Sequence, residues 1–223
     1  MASPCFLLVE LAGEHARQSQ LLADLADIAR AAGGTVLAWA PPGRVAGLEP
    51  GTVAAGLLLA RWPDRAGAKA AARDRVLPRL RAGLPSGSTP LILAVEGLPE
   101  EGLPEMLDIP TVASVPKPVS PAGNVLLVVR GSAWDQAKLD QYRDVILPMH
   151  KERAGYYEVF AVAPGQVEAL SGEWRDLIFA ISRWPTRAAA EDFWYSERYQ
   201  GVAIPIRLGA GRFTVHMLEA CAG

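Results

Sequence analysis

The sequence predicts an α+β protein built from two consecutive βαββαβ units that cover each other's sheets. Three observations predict it: a low-identity repeat held in one ungapped register, the same order of apolar runs and helical patterns in both copies, and a proline-rich stretch between them. The segment Pro42-Gly43-x-Val45-x-x-Leu48 recurs as Pro164-Gly165-x-Val167-x-x-Leu170, and Arg61-Trp62-Pro63 recurs as Arg183-Trp184-Pro185. Both recurrences lie at one shift, 164 − 42 = 122 and 183 − 61 = 122. The same shift carries Arg65 onto Arg187, Gly33 onto Gly155 and Leu25 onto Leu147.

Each copy opens with an apolar run, Phe6 to Leu11 and Val125 to Val129, read as a strand. A helical pattern follows and ends at glycine, Ala32-Gly33-Gly34 and Ala154-Gly155. In the second copy Leu139, Tyr142, Ile146, Met149 and Arg153 fall at spacings of three and four, one helix stripe. Second strands are expected at Thr35 to Ala40 and Tyr156 to Val162, then a Pro-Gly turn, then third strands at Ala55 to Arg61 and Asp176 to Arg183. Pro63-Asp64 and Pro185-Thr186 place an N-cap ahead of a second helix, Ala-rich in one copy and aromatic in the other. Leu91 to Glu96 and Phe213 to Leu218 close the copies.

This order is the ferredoxin-like plan, whose helices cover one face of an antiparallel sheet. The bare faces are expected to close on each other as an intramolecular pseudo-dimeric α/β barrel. The domains are therefore 1–98, a linker 99–122, and 123–223, with six prolines between Glu96 and Asn124 marking an extended connection. A further homodimer of the whole chain stays open.

Bulk properties narrow the function. With 223 residues, half of them hydrophobic, and a formal net charge of −2, the chain reads as a soluble globular protein. Its Lys and Arg residues form no stripe, so nucleic acid is not an expected partner. No apolar run is long enough to span a membrane, and the N-terminus lacks a basic region and cleavage site, so the expected compartment is the cytoplasm. Cys5 and Cys221 fit reduced thiols, and the Ala, Arg, Gly and Pro bias fits a GC-rich bacterial coding sequence. There is no GxGxxG, GxxxxGK[ST], GxSxG or HExxH and no Cys/His cluster with metal spacing, so nucleotide, serine-hydrolase and zinc chemistry are disfavoured. No cofactor and no metal are expected.

In the second copy, Gly155-Tyr156-Tyr157-Glu158-Val159, the run Pro164 to Trp174, Trp184-Pro185-Thr186 and the run Ala188 to Gln200 resemble the domain-of-unknown-function family 1330. The resemblance covers about residues 122 to 220, with Gly155-Tyr156 and Trp184-Pro185-Thr186 departing from the family's Gly-Gly and Phe-Pro-Ser. It implies the dimeric α/β-barrel superfamily, which includes cofactor-independent monooxygenases, cyclases, lactone isomerases and haem enzymes. The first copy looks like a diverged relative without the aromatic helix.

The two copies differ in chemistry. All five tyrosines, four of six tryptophans and four of five phenylalanines lie after residue 124, which favours a small-molecule pocket in the second copy. At the 122 shift His150 stands opposite Ile28 and His216 opposite Ala94, each an imidazole where the other copy is apolar. A buried imidazole needs a reason. General acid–base catalysis is one and a hydrogen-bonded core histidine is the other. The candidate catalytic residues are His150, His216 and Tyr142; the candidate substrate-binding residues are Trp174, Trp194, Tyr195, Tyr199 and Arg207. Tyr195 and Tyr199, four apart, are expected on one helix face, and Arg207 could clamp a carboxylate. Arg61 and Arg183 read as turn-stabilising and His15 as a surface residue. The function expected is a cofactor-independent cyclase, isomerase or oxygenase of secondary metabolism acting on a small hydrophobic molecule. The alternatives are a non-catalytic binder and a haem-binding barrel.

Overall fold

The computed structural model describes residues 3–13, 17–102, 108–116 and 124–221; His15 lies outside them. The N-terminal half runs β1 (Cys5–Ala12), α1 (Gln18–Ala31), β2 (Thr35–Ala40), β3 (Ala46–Gly47), β4 (Ala55–Trp62), α2 (Arg65–Ala71), α3 (Leu77–Gly83) and β5 (Leu91–Glu96). The C-terminal half runs β6 (Val125–Ala133), α4 (Gln136–Glu152), β7 (Tyr156–Ala161), β8 (Val167–Ser171), β9 (Ile178–Trp184), α5 (Arg187–Tyr195), α6 (Ile204–Ala210) and β10 (Gly211–Glu219). The expected N-caps hold: Asp64 accepts from Gly67 N at 2.8 Å and Thr186 Oγ1 from Ala189 N at 3.1 Å.

Two antiparallel five-stranded sheets result, in the orders β2-β4-β1-β5-β8 and β3-β10-β6-β9-β7. This is the α+β architecture of the dimeric α/β barrels. Strand alternation splits each central strand between two cores. Leu7 and Val9 of β1 and Leu127 of β6 face helices, whereas Phe6, Leu8, Leu126 and Val128 meet in one core between the sheets.

The Pro-Gly segments are more than turns. Pro42–Arg44 forms a 3₁₀ turn, and β3 then pairs with β10 of the other half, while β8 pairs with β5. The exchange is reciprocal in detail: Leu48 packs into the C-terminal helix-side core, and its repeat partner Leu170 packs into the N-terminal one. The repeated motif therefore marks the points where the halves lock together.

Sheet register also corrects the 122 shift. Trp62 and Trp184 obey it, but β1 and β6 align at 125 − 5 = 120 and β5 and β10 at 219 − 96 = 123, judged by the pairs Cys5–Trp62, Val125–Trp184, Cys5–Glu96 and Val125–Glu219. His216 accordingly stands where the N-terminal half has Leu93, a residue of the inter-sheet core, and not Ala94. One residue of slip changes the sheet face. At the helix ends, Gly34 N bonds Ala29 O and Gly155 N bonds His150 O, so His150 replaces the fully buried Ala29.

Gly155 has an extra duty. A Cβ there would lie 2.8 Å from ring atoms of Trp184, which is wholly buried and cannot retreat. Gly155→Ala is expected to cost about 1–3 kcal/mol, the usual penalty for overpacking a tight core, read from the denaturant midpoint. The positive φ in this turn belongs to its neighbour Ala154, at 54°.

Among the described residues no helix is long and apolar enough to cross a membrane.

Candidate functional site

Helix α4 is capped by Asp135, whose Oδ1 accepts from Lys138 N at 3.0 Å. Positions four apart place Tyr142, Ile146 and His150 on one face, towards the sheet. Together with β6, β7, β9 and α5 they enclose a cavity of about 500 Å³, whose walls include Leu127, Val129, Tyr157, Ala180, Phe193, Trp194, Tyr199 and Phe213. The exposed side chains of Trp134, Val162 and Leu177 form its mouth. In the N-terminal half the corresponding space is filled by Leu21, Leu22, Leu25 and Trp62, with Ala26, Ala29, Ala68, Ala71 and Ala72 bringing helices close to the sheet.

His150 is the one imidazole among the described lining residues. Its ring packs on Tyr157 at 4.7 Å between centroids, with Trp184 and Phe193 each at 4.6 Å. Nδ1 lies 2.9 Å from the Ile146 carbonyl, which can only accept, so the proton resides on Nδ1 and the Nε2 lone pair has no protein partner among the described residues. Burial disfavours the imidazolium and brings the pKa down to about 4. The ring is therefore neutral at physiological pH. Nearby, Ser182 Oγ accepts the indole N–H of Trp184 at 3.0 Å.

The opposite wall carries a chain of donors. Arg207 Nη1 donates to Tyr199 Oη at 3.3 Å, and Tyr199 Oη lies 3.0 Å from Tyr142 Oη. Burial raises the pKa of Tyr142 to about 12 and that of Tyr199 well above its ordinary value, so both stay protonated. Arg207 is only 2% exposed and sits behind the wall among Tyr142, Trp194, Tyr199 and Phe213, its guanidinium carbon 5.2–6.0 Å from their ring centroids. Its counter-ion is Glu49, from the loop after β3 in the N-terminal half.

The fold thus gathers His150, Tyr142, Trp194 and Tyr199 around one cavity. It places the other candidates elsewhere. His216 faces the inter-sheet core, where its Nε2 bonds Val53 O at 3.3 Å, and burial lowers its pKa. Trp174 packs on Phe179 against that same core. Tyr195 is 65% exposed, because the chain breaks at Ser196 (ψ 148°) and a π-helical turn at Tyr199–Ala203 follows, so Tyr195 and Tyr199 share no face. Arg207 is not available to a substrate carboxylate, since Glu49 already pairs with it. Arg183 pairs with Glu158 beside a second cavity of about 570 Å³ at the seam between the halves. Sequence reading missed Tyr157, Ser182, Phe193 and Glu49. The first three are strand and helix positions whose facing needs the register, and Glu49 carries no local signal at all.

The family model for a domain of unknown function, DUF1330, matches residues 124–221, the half that holds this cavity. No curated protein matches the chain by sequence. Among solved structures, a candidate monooxygenase from Fusobacterium nucleatum shares 6% identity and a TM-score of 0.55, covering 98% of this chain and 93% of its own. An anthrone oxidase-like protein shares 12% identity and a TM-score of 0.55, with 99% and 92% covered. A DypB variant from Rhodococcus jostii RHA1, in complex with haem, shares 10% identity and a TM-score of 0.56, with 98% and 93% covered. At such identities the likeness establishes the fold, and function has to be argued from the site.

Proposed function

We propose that the protein is a cofactor-independent enzyme, a cyclase, isomerase or oxygenase, that acts on a small uncharged hydrophobic molecule in the C-terminal cavity. The observation that carries this reading is the asymmetry of the halves. One helix–sheet layer encloses about 500 Å³ with an imidazole and three phenols at its walls, while the corresponding layer of the other half is packed with leucine, alanine and tryptophan.

In this reading the Nε2 lone pair of His150 accepts a proton from a ligand C–H or O–H made acidic by a conjugated carbonyl. The oxyanion left on the ligand takes a hydrogen bond from Tyr142, whose own oxygen is polarised through Tyr199 by Arg207. Arg207 can only donate, and with Tyr199 turning its own proton to Tyr142 the relay runs from Arg207 to Tyr199 to Tyr142, leaving the Tyr142 hydroxyl proton for a ligand oxygen. A base of low pKa suits a substrate of high acidity and serves equally to orient a hydroxyl group. Tyr157 and Trp194 grip the flat faces of the ligand.

Turnover of a panel of phenolic and carbonyl-bearing aromatic compounds, followed by mass spectrometry, tests the proposal. His150→Ala is expected to lose about 10²–10⁴ in rate, the usual contribution of a positioned base. Full turnover in His150→Ala and in Tyr142→Phe would overturn the acid–base assignment. Because His150 is neutral down to about pH 4 and Tyr142 protonated up to about 12, kcat/KM should show no inflection near pH 6.5. Val129→Phe, which puts a ring into the cavity from β6, should abolish ligand uptake without lowering the melting temperature. Tight uptake with no turnover of any compound would turn the reading into that of a binding protein.

The lining does not fit haem, the ligand of the DypB neighbour. Two propionates call for cations, and Arg143 is the one Arg or Lys among the described lining residues. A Soret band in the purified protein would reverse that conclusion.

We read residues 1–98 and 123–223 as two ferredoxin-like domains derived by tandem duplication and joined by 99–122, with the first standing in for a dimer partner. The reciprocal exchange of β3 and β8 supports this.

A further inference from the structure

We infer that Glu49, a residue of the N-terminal half, sets the charge selectivity of the cavity in the C-terminal half: by neutralising Arg207 behind the aromatic wall it reserves the cavity for uncharged ligands. The inference rests on the reading of that cavity as a ligand site.

Only the thickness of one ring separates the Arg207 guanidinium from the ligand space. Tyr142, Trp194, Tyr199 and Phe213 surround it, and all four also line the cavity. A buried cation behind a poorly polarisable wall projects positive potential through it, and that potential would draw carboxylates and phenolates. Glu49 cancels it. The other charges on the lining are engaged locally, Asp135 in the α4 cap and Asp140 with Arg143 at 3.1 Å.

The loop that delivers Glu49 is clamped on both sides. Before it, Ala46 and Gly47 pair with Met217 and His216, and Leu48 N bonds Val215 O at 2.9 Å. Behind it, Thr52 N bonds Glu49 O at 3.1 Å and His216 holds Val53 O. This gives His216 a positioning part without contact with the cavity. The repeat shows the same logic by contrast: Leu48 and Leu170 are equivalent, and the residue after Leu170 is Ser171, opposite a helix–sheet layer packed with leucine and alanine.

The test uses the full chain and two matched probes at pH 7, uncharged 2-naphthol and anionic 2-naphthoate, with binding followed by naphthyl fluorescence. The wild type is expected to prefer naphthol by about tenfold or more, and Glu49→Gln to shift the ratio by about tenfold towards naphthoate while naphthol affinity stays within about twofold. Glu49→Asp, which keeps the charge but draws it back from Arg207, should move the ratio the same way by less, and serves if Glu49→Gln does not fold. An unchanged ratio in a folded variant overturns the inference, and if naphthol binding is still blocked by Val129→Phe the ligand-site reading survives it. If neither probe binds the wild type, or Val129→Phe leaves binding intact, the site reading fails and takes the inference with it.

Discussion

Arg207→Met should lower the stability of the folded chain by about 3–5 kcal/mol, the cost of removing one partner of a buried ion pair. Methionine replaces the bulk of the side chain but not its charge, leaving the Glu49 carboxylate, 10% exposed, with no cation beside it. The double variant Glu49→Gln with Arg207→Met should recover most of the loss, because the penalty comes from the orphaned charge and not from missing volume. A urea-denaturation cycle over the four proteins measures the coupling. Additive losses would show that the pair does not act as a buried unit, whereas strong coupling would mean that the halves are tied energetically at the wall of the cavity.

His150 should make the protein acid-labile. Its folded pKa of about 4 lies below the 6.5 of an exposed imidazole, so between these values the unfolded chain binds a proton that the folded chain refuses. Stability contributed by the neutral ring is complete above pH 6.5, falls as pH drops through this window, and levels off below about 4, a total on the order of 3 kcal/mol. His150→Phe, with a ring of similar size in the same aromatic stack, should flatten the pH dependence across that window while changing stability at pH 8 much less. Melting temperatures from pH 4 to 8 for both proteins decide it. An unchanged slope would mean that other groups carry the acid lability.

Much of the architecture was readable because its signals are local. Apolar runs, the caps at Asp64 and Thr186, and the i, i+4 stripe through Tyr142, Ile146 and His150 depend on neighbours a few residues away, and these placed the elements and the helix face that meets the cavity. The ungapped 122 shift was less reliable. The bulges at Val36/Ala38 and Tyr157/Val159 coincide, but connections of different length after the first strand, before the third and before the last slide the two halves by one or two residues. One of those slides put His216 on the wrong side of its sheet. A helical pattern continuing through Ser196 hid the break that separates Tyr195 from Tyr199.

The sequence alone settled the order of the main strands and helices of each half, without the crossing strands β3 and β8, and the concentration of aromatic and imidazole chemistry after residue 124. Packing decided the rest. Whether a helix stands off its sheet to leave a cavity depends on the summed volumes of side chains from four or more elements, and the repeat carries no record of that sum. The pairing of Glu49 with Arg207, 207 − 49 = 158 residues apart, exists only because a two-residue strand crosses to the other sheet and takes its loop along. So short a strand has almost no periodicity to read, and its place is fixed by the backbone partners waiting on β10.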